Sequence, residues 1–147
     1  MPNVSLAQAN RIIDGALKEA RRLELPRVCV SVLDSGGHLV ALQREDGCTF
    51  LRARVSPAKA WGAVATGTDS RDISARYERA TREEGFINGL NALTGGQIVP
   101  LPGGVLILDG DGVVCGAVGI SGAASEDDER CAVAGIAAAG LRSHIEP

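Results

Sequence analysis

QIVPLPGGVLILDGDGVVCGAVGISGAASEDDERCAVAGIAAAGLR, Gln97 to Arg142, is the stretch whose reading decides the fold. An apolar run from Val105 to Leu108 meets a tight Asp109-Gly110-Asp111-Gly112 turn, a second apolar run follows from Val113 to Ile120, and a helix opens at Ser125 after a glycine break. Short apolar runs bounded by Asp and Gly read as strands, and a turn this brief makes them antiparallel. The stretch is a hairpin with a helix returning over it.

The same grammar occurs earlier. Val28 to Leu33, then Asp34-Ser35-Gly36-Gly37, then His38 to Arg44 is again strand, turn and strand, and a helix follows with Ser56 as its cap and Pro57 at its first position. Leu33-Asp34 aligns with Leu108-Asp109, so the two hairpins are expected to share one sheet. Before them, Ser5-Leu6-Ala7-Gln8 has the spacing of a capping box, and Leu6, Ala9, Ile13, Ala16, Leu17, Ala20 and Leu23 recur at helical period. Three of the strands are apolar on both faces, as expected when helices cover both sides of a sheet. This gives an α+β chain, a three-layer α/β/α sandwich around an antiparallel sheet. Thr68 to Leu93 reads as one charged helix, with Asp72 and Arg76, and Glu78 and Arg82, at i,i+4 spacing.

The 147 residues make one domain, 1–147, large enough to bury roughly 68–70% of its unfolded surface without disulfides or a structural metal. A net charge of −3 argues against nucleic acid and anionic membranes as partners. With no apolar run long enough to span a bilayer and no signal-peptide pattern at Met1-Pro2-Asn3-Val4, the expected location is the cytoplasm. Cys29, Cys48, Cys115 and Cys131 lack metal-ligand spacing and read as small core residues. Gly116, Gly119 and Gly122 precede an acidic helix that would repel pyrophosphate, which disfavours a nucleotide.

Arg44, Arg52, Arg54 and Lys59 fall close together before and within the helix at Ser56, whose free N–H groups favour anions. Lys59 at the third helical position is disfavoured by the helix dipole by about 0.3–1 kcal/mol unless an anion is held there too. This suggests a basic pocket for a carboxylate-bearing small molecule, set against ordinary solvated charges or a Lys59–Asp46 pair. His38, at the exit of the first turn, can ligate a metal or move a proton, or simply serve the turn. His38 and Arg44 stand about 20 Å apart along an extended strand and cannot share one small ligand. Tyr77 is a further conceivable iron ligand on a charged helix.

VLDSGGHLVALQREDG (Val32 to Gly47), AKAWGAVATG (Ala58 to Gly67) and PLPGGVLILDGDGVVCGAVGISGAASEDDERCA (Pro100 to Ala132) resemble the GlcG/HbpS-type haem-binding (haem-degrading domain) family, related to the C-terminal domain of PduO-type proteins. The resemblance implies a profilin-like sandwich with a five-stranded antiparallel sheet, homo-oligomers, and haem or another tetrapyrrole as ligand in some members. His38 matches a family position beside the Gly-Gly turn, Asp128 aligns with an acidic residue of the last helix, and Glu126-x-x-Glu129 resembles surface iron pairs. Three functions stand open, one of them structural or regulatory association through the small-residue last helix. Another is a binding protein, with His38, Arg44, Arg52, Arg54 and Lys59 at the ligand and His38 near iron. The third is an isomerase, lyase or hydrolase acting on a small organic acid, with Asp46, Lys59 and Asp128 as acid–base groups.

Overall fold

Asp34 and Asp109 fold their hairpins with the same four hydrogen bonds. Asp34 Oδ1 accepts the N–H groups of Gly36 and His38 at 2.9 and 3.0 Å, and Asp109 Oδ1 accepts those of Asp111 and Val113 at 2.9 Å each. In both, the Asp N–H donates to the carbonyl four residues on, its own carbonyl accepts from a glycine, and that glycine, Gly37 or Gly112, has a φ near +80°. The aligned sequence repeat is therefore a repeat of turn chemistry.

The computed structural model describes residues 2–79 and 81–147. Its elements are α1 (Leu6–Arg22), β1 (Cys29–Asp34), β2 (Leu39–Arg44), α2 (Arg52–Thr66), α3 (Ser70–Arg79), α4 (Thr81–Leu93), β3 (Gly104–Leu108), β4 (Val114–Ser121) and α5 (Ser125–Ala138). The sheet has the order β2-β1-β4-β3 and is antiparallel throughout, with Cys29 opposite Ser121 and Asp34 opposite Gly116 where the two hairpins join. β1 is central while its counterpart β3 lies at an edge, so the repeat ends at the hairpins.

Alternation along the strands builds two faces. Val28, Val30, Val32, Val105, Ile107, Val118 and Ile120 meet α1 and α5 in the main core, while Leu33, Leu106 and Ala117 meet Ala60 and Ala63 of α2. The three-layer arrangement expected from the apolar strands is present. The small residues of α5 let it approach α1: a Cβ on Gly15 would lie 2.7 Å from Ala138 Cβ, and one on Gly135 would overlap the Ile12 carbonyl. α1 begins with the capping box, Gln8 N–H donating to Ser5 Oγ and Ser5 N–H to Gln8 Oε1.

Three sequence expectations change. The sheet has four strands rather than five, because the outward N–H groups of β3 are taken otherwise: Gly104 donates to Ser70 Oγ at 2.7 Å, Leu106 to Asp69 Oδ1 at 2.8 Å and Leu108 to the Arg142 carbonyl at 2.8 Å. Among the described residues, the Leu108–Arg142 bridge is all that pairs at this edge. The span Thr68 to Leu93 holds two helices. Arg76 stacks on Phe86, 4.9 Å from the ring centroid, although ten residues of continuous helix would part them by about 15 Å. Glu83 pairs with Arg76 and Arg79, in place of the expected Asp72–Arg76 and Glu78–Arg82 pairs. α5 opens at Ser125 as read from the sequence, and its cap, Ala124, makes no side-chain bond.

Among the described residues no helix is long and apolar enough to cross a membrane. The four cysteines are free and buried. Burial pushes the thiols of Cys29 and Cys131 up to about 11 and about 12, as befits core residues.

Candidate functional site

α2 starts one turn earlier than its Ser-Pro pair suggests. Phe50 and Leu51 carry the chain into Arg52, so Ser56 lies inside the helix and Pro57 is its sixth residue. Ser56 Oγ donates to the Gly119 carbonyl at 2.9 Å and lies 2.7 Å from Ser31 Oγ. It ties α2 to the sheet, so no free N–H groups gather at Ser56 to receive an anion. Gly104 and Gly119 make this approach possible, since a Cβ on either would overlap the carbonyl of Lys59 or Ser56.

The four cations do not line one open pocket, although Arg52 stands close enough to act on the Lys59–Asp128 pair. Lys59 is buried with Asp128, not Asp46: Nζ lies 3.1 Å from Asp128 Oδ2 and donates to the Ile120 carbonyl at 3.0 Å, and Asp128 Oδ1 accepts the Ala123 N–H at 3.0 Å. Side-chain exposures of 3% and 1% close the pair to solvent. Burial lowers the Lys59 pKa and raises that of Asp128, each shift opposed by the partner's charge. Arg52 donates to Ser121 Oγ at 3.2 Å. Arg44 donates to the Cys48 carbonyl and shares with Asp46, Arg27 and Glu45 a shallow surface depression of about 390 Å³. Glu45 there accepts the Val28 N–H at 2.8 Å and pairs with Arg21 and Arg27.

Arg54 belongs to a different place. It stands with Leu33, Leu39, Val55, Pro57, Ala58, Trp61, Val99 and the Gly95-Gly96-Gln97 turn around a half-open cleft of about 460 Å³ between β2, α2 and the segment after α4. Trp61 forms its wall and joins two packing groups, Leu33–Ala60–Leu106 and Ile73–Ile87–Ile98. The Gly37 turn seats the indole, since a Cβ there would lie 3.1 Å from Trp61 Cδ1 and Nε1. Sequence reasoning missed this cleft. Its one signal was the only tryptophan, one helical turn beyond Pro57 and two beyond Arg54.

His38 stands on the chain between the cleft residues Gly37 and Leu39, but its side chain is 81% exposed and turned back on its own hairpin, Nδ1 lying 3.2 Å from Asp34 Oδ1. The Asp34 pKa is lowered, first by the His38 backbone N–H and then by that of Gly36 and the His38 ring. Glu129 holds Arg71 through both carboxylate oxygens and so is not free to pair with Glu126. Among the described residues no group of three His, Cys, Asp or Glu side chains is placed to hold a metal ion.

An antiparallel sheet between helices, with a cleft lined by Trp61 and Arg54, defines an α+β sandwich domain. The family described as haem degrading protein HbpS-like matches residues 4–137, and the chain belongs to it. GlcG of Escherichia coli (strain K12) is 35% identical over 119 residues, which cover 80% of this chain and 81% of GlcG. The corrinoid adenosyltransferase PduO of Citrobacter freundii is 28% identical over 142 residues, 97% of this chain, and the chain spans only 41% of that relative. The solved complex of PduOC with haem superposes with a TM-score of 0.83 at 28% identity, covering 97% of this chain and 99% of the other.

The cleft residues present apolar walls, an indole and a guanidinium. They do not fit an iron centre, because no imidazole, thiolate, phenolate or carboxylate lines the cleft among the described residues.

Proposed function

We propose that this protein binds a flat, carboxylate-bearing small molecule of the tetrapyrrole class, haem included, in the cleft between Trp61 and Arg54. The observation that carries the reading is the cleft itself. Its volume of about 460 Å³ lies within the usual range for small-molecule sites, its lining is mainly apolar, and Arg54 is its one charged side chain. Stacking on Trp61 holds the ring system and Arg54 fixes a carboxylate through paired N–H donors. The haem complex of PduOC, alike in fold over nearly the whole chain, supports this ligand class.

Titration with haem tests it: a shifted Soret band, saturating at one ligand per chain, is expected at micromolar protein. Arg54→Ala is expected to weaken binding about tenfold, since Arg54 is exposed and its loss leaves the fold intact. An unchanged spectrum defeats the proposal.

The acid–base alternative loses its main pair, because Lys59 and Asp128 face each other out of reach of a substrate. Self-association belongs to the same proposal: Phe50 and Leu93, each 82% exposed, and Leu51 supply apolar surface for it, and sedimentation velocity tests it.

A further inference from the structure

We infer that this cleft recognises the organic ring system and its carboxylate alone, so that a metal-free porphyrin is as good a ligand as haem. The inference rests on the ligand-binding reading above and goes on to define what the site reads. Every side chain of the kinds that commonly ligate haem iron, among the described residues, is placed elsewhere. His38 is bonded to Asp34 on the outer side of its turn, and a Cβ on Gly36 would lie 2.9 Å from its ring. His144 is exposed in the C-terminal segment. Tyr77 packs against Ile73, Ile87 and Ile98. The four cysteines are at most 5% exposed, and burial raises each thiol, disfavouring the thiolate that ligation needs.

What remains in the cleft is chemistry that does not sense a metal. Trp61 offers a half-buried indole, Leu33, Leu39, Val55 and Val99 offer apolar walls, and Arg54 offers a fork of N–H donors suited to a carboxylate. Affinity drawn from these groups depends on ring area and carboxylate position, both the same in protoporphyrin with and without iron.

The experiment titrates the full chain with ferric protoporphyrin IX and, separately, with metal-free protoporphyrin IX, reading the quenching of Trp61, the only tryptophan. The two dissociation constants are expected to agree within about threefold, with Arg54→Ala weakening both alike and His38→Ala changing neither. The ferric complex is expected to lack the low-spin spectrum of an imidazole-ligated iron. Tighter binding of the ferric form by about tenfold or more, erased by His38→Ala, overturns the inference while leaving the cleft as the ligand site. Binding of neither porphyrin overturns the reading beneath it, and this inference with it.

Discussion

Lys59→Met removes the cation from a sealed ion pair and leaves Asp128, 1% exposed, with the Ala123 N–H as its remaining partner. Breaking a buried pair from one side costs about 3–5 kcal/mol, because the surviving charge is neither solvated nor matched. At this chain length one kcal/mol moves the melting temperature by about 3 °C, so a fall of about 10–15 °C is expected. Urea denaturation followed by Trp61 fluorescence gives the free energy directly. Lys59→Met/Asp128→Leu removes the stranded charge and is expected to recover at least about 1–2 kcal/mol of the loss, the remainder reflecting the unpaired Ile120 carbonyl and Ala123 N–H. The deficit also depends on pH with a definite sign. Burial raises the folded pKa of Asp128 above its unfolded value near ~3.9, so without Lys59 stability falls as pH rises through that window and returns on acidification. A loss below about 1 kcal/mol, no recovery in the double variant, or a deficit that grows from pH 7 to pH 5 refutes the account.

Gly119→Ala drives a Cβ into the Ser56 carbonyl and is expected to cost at least about 2–3 kcal/mol, whereas Gly85→Ala on the open face of α4 is expected to gain about 0.5–1 kcal/mol; one chemical-denaturation series reads both. Asp69→Ala strands the Leu106 N–H at a buried edge and is expected to cost about 1–3 kcal/mol, with Asp69→Asn losing less because an acceptor remains. Asp34→Ala removes the acceptor for two backbone N–H groups and is expected to cost about 1–2 kcal/mol at pH 7. Because the Asp34 pKa is lowered in the folded state, its contribution is complete above its unfolded value and lost as pH falls through the folded one; acid titration of wild type against variant shows the two curves converging.

The hairpins, their antiparallel sense and the helices on both faces were legible because each rests on local chemistry: an Asp that bonds its own turn, a glycine at positive φ, an apolar period. The sheet's edge was not legible. It depends on Asp69 and Ser70 arriving from α3, more than thirty residues from the N–H groups they satisfy, and no local pattern in Gly104 to Leu108 announces them. The placing of the basic residues was not legible either. Four cations close in sequence suggested one basic pocket, yet Lys59 is sealed beside Arg52 while Arg44 and Arg54 line different depressions, and the helix start on which the pocket depended lies four residues upstream of Ser56. Lys59 and Asp128 were each singled out in the sequence, but nothing local showed that they pair with each other. The Trp61 cleft draws its walls from three separated segments, so only the folded arrangement assembles it.

The unequal treatment of the two sheet borders sets a limit on aggregation. Along β3 the outward amides are already engaged, while β2 borders the sheet on its other side with β1 as its only strand neighbour among the described residues. A ladder can lengthen indefinitely only if both ends accept newcomers. With a single joinable margin, two molecules can meet border to border, and each then presents only its closed margin, so growth into a fibril stops at the first pairing.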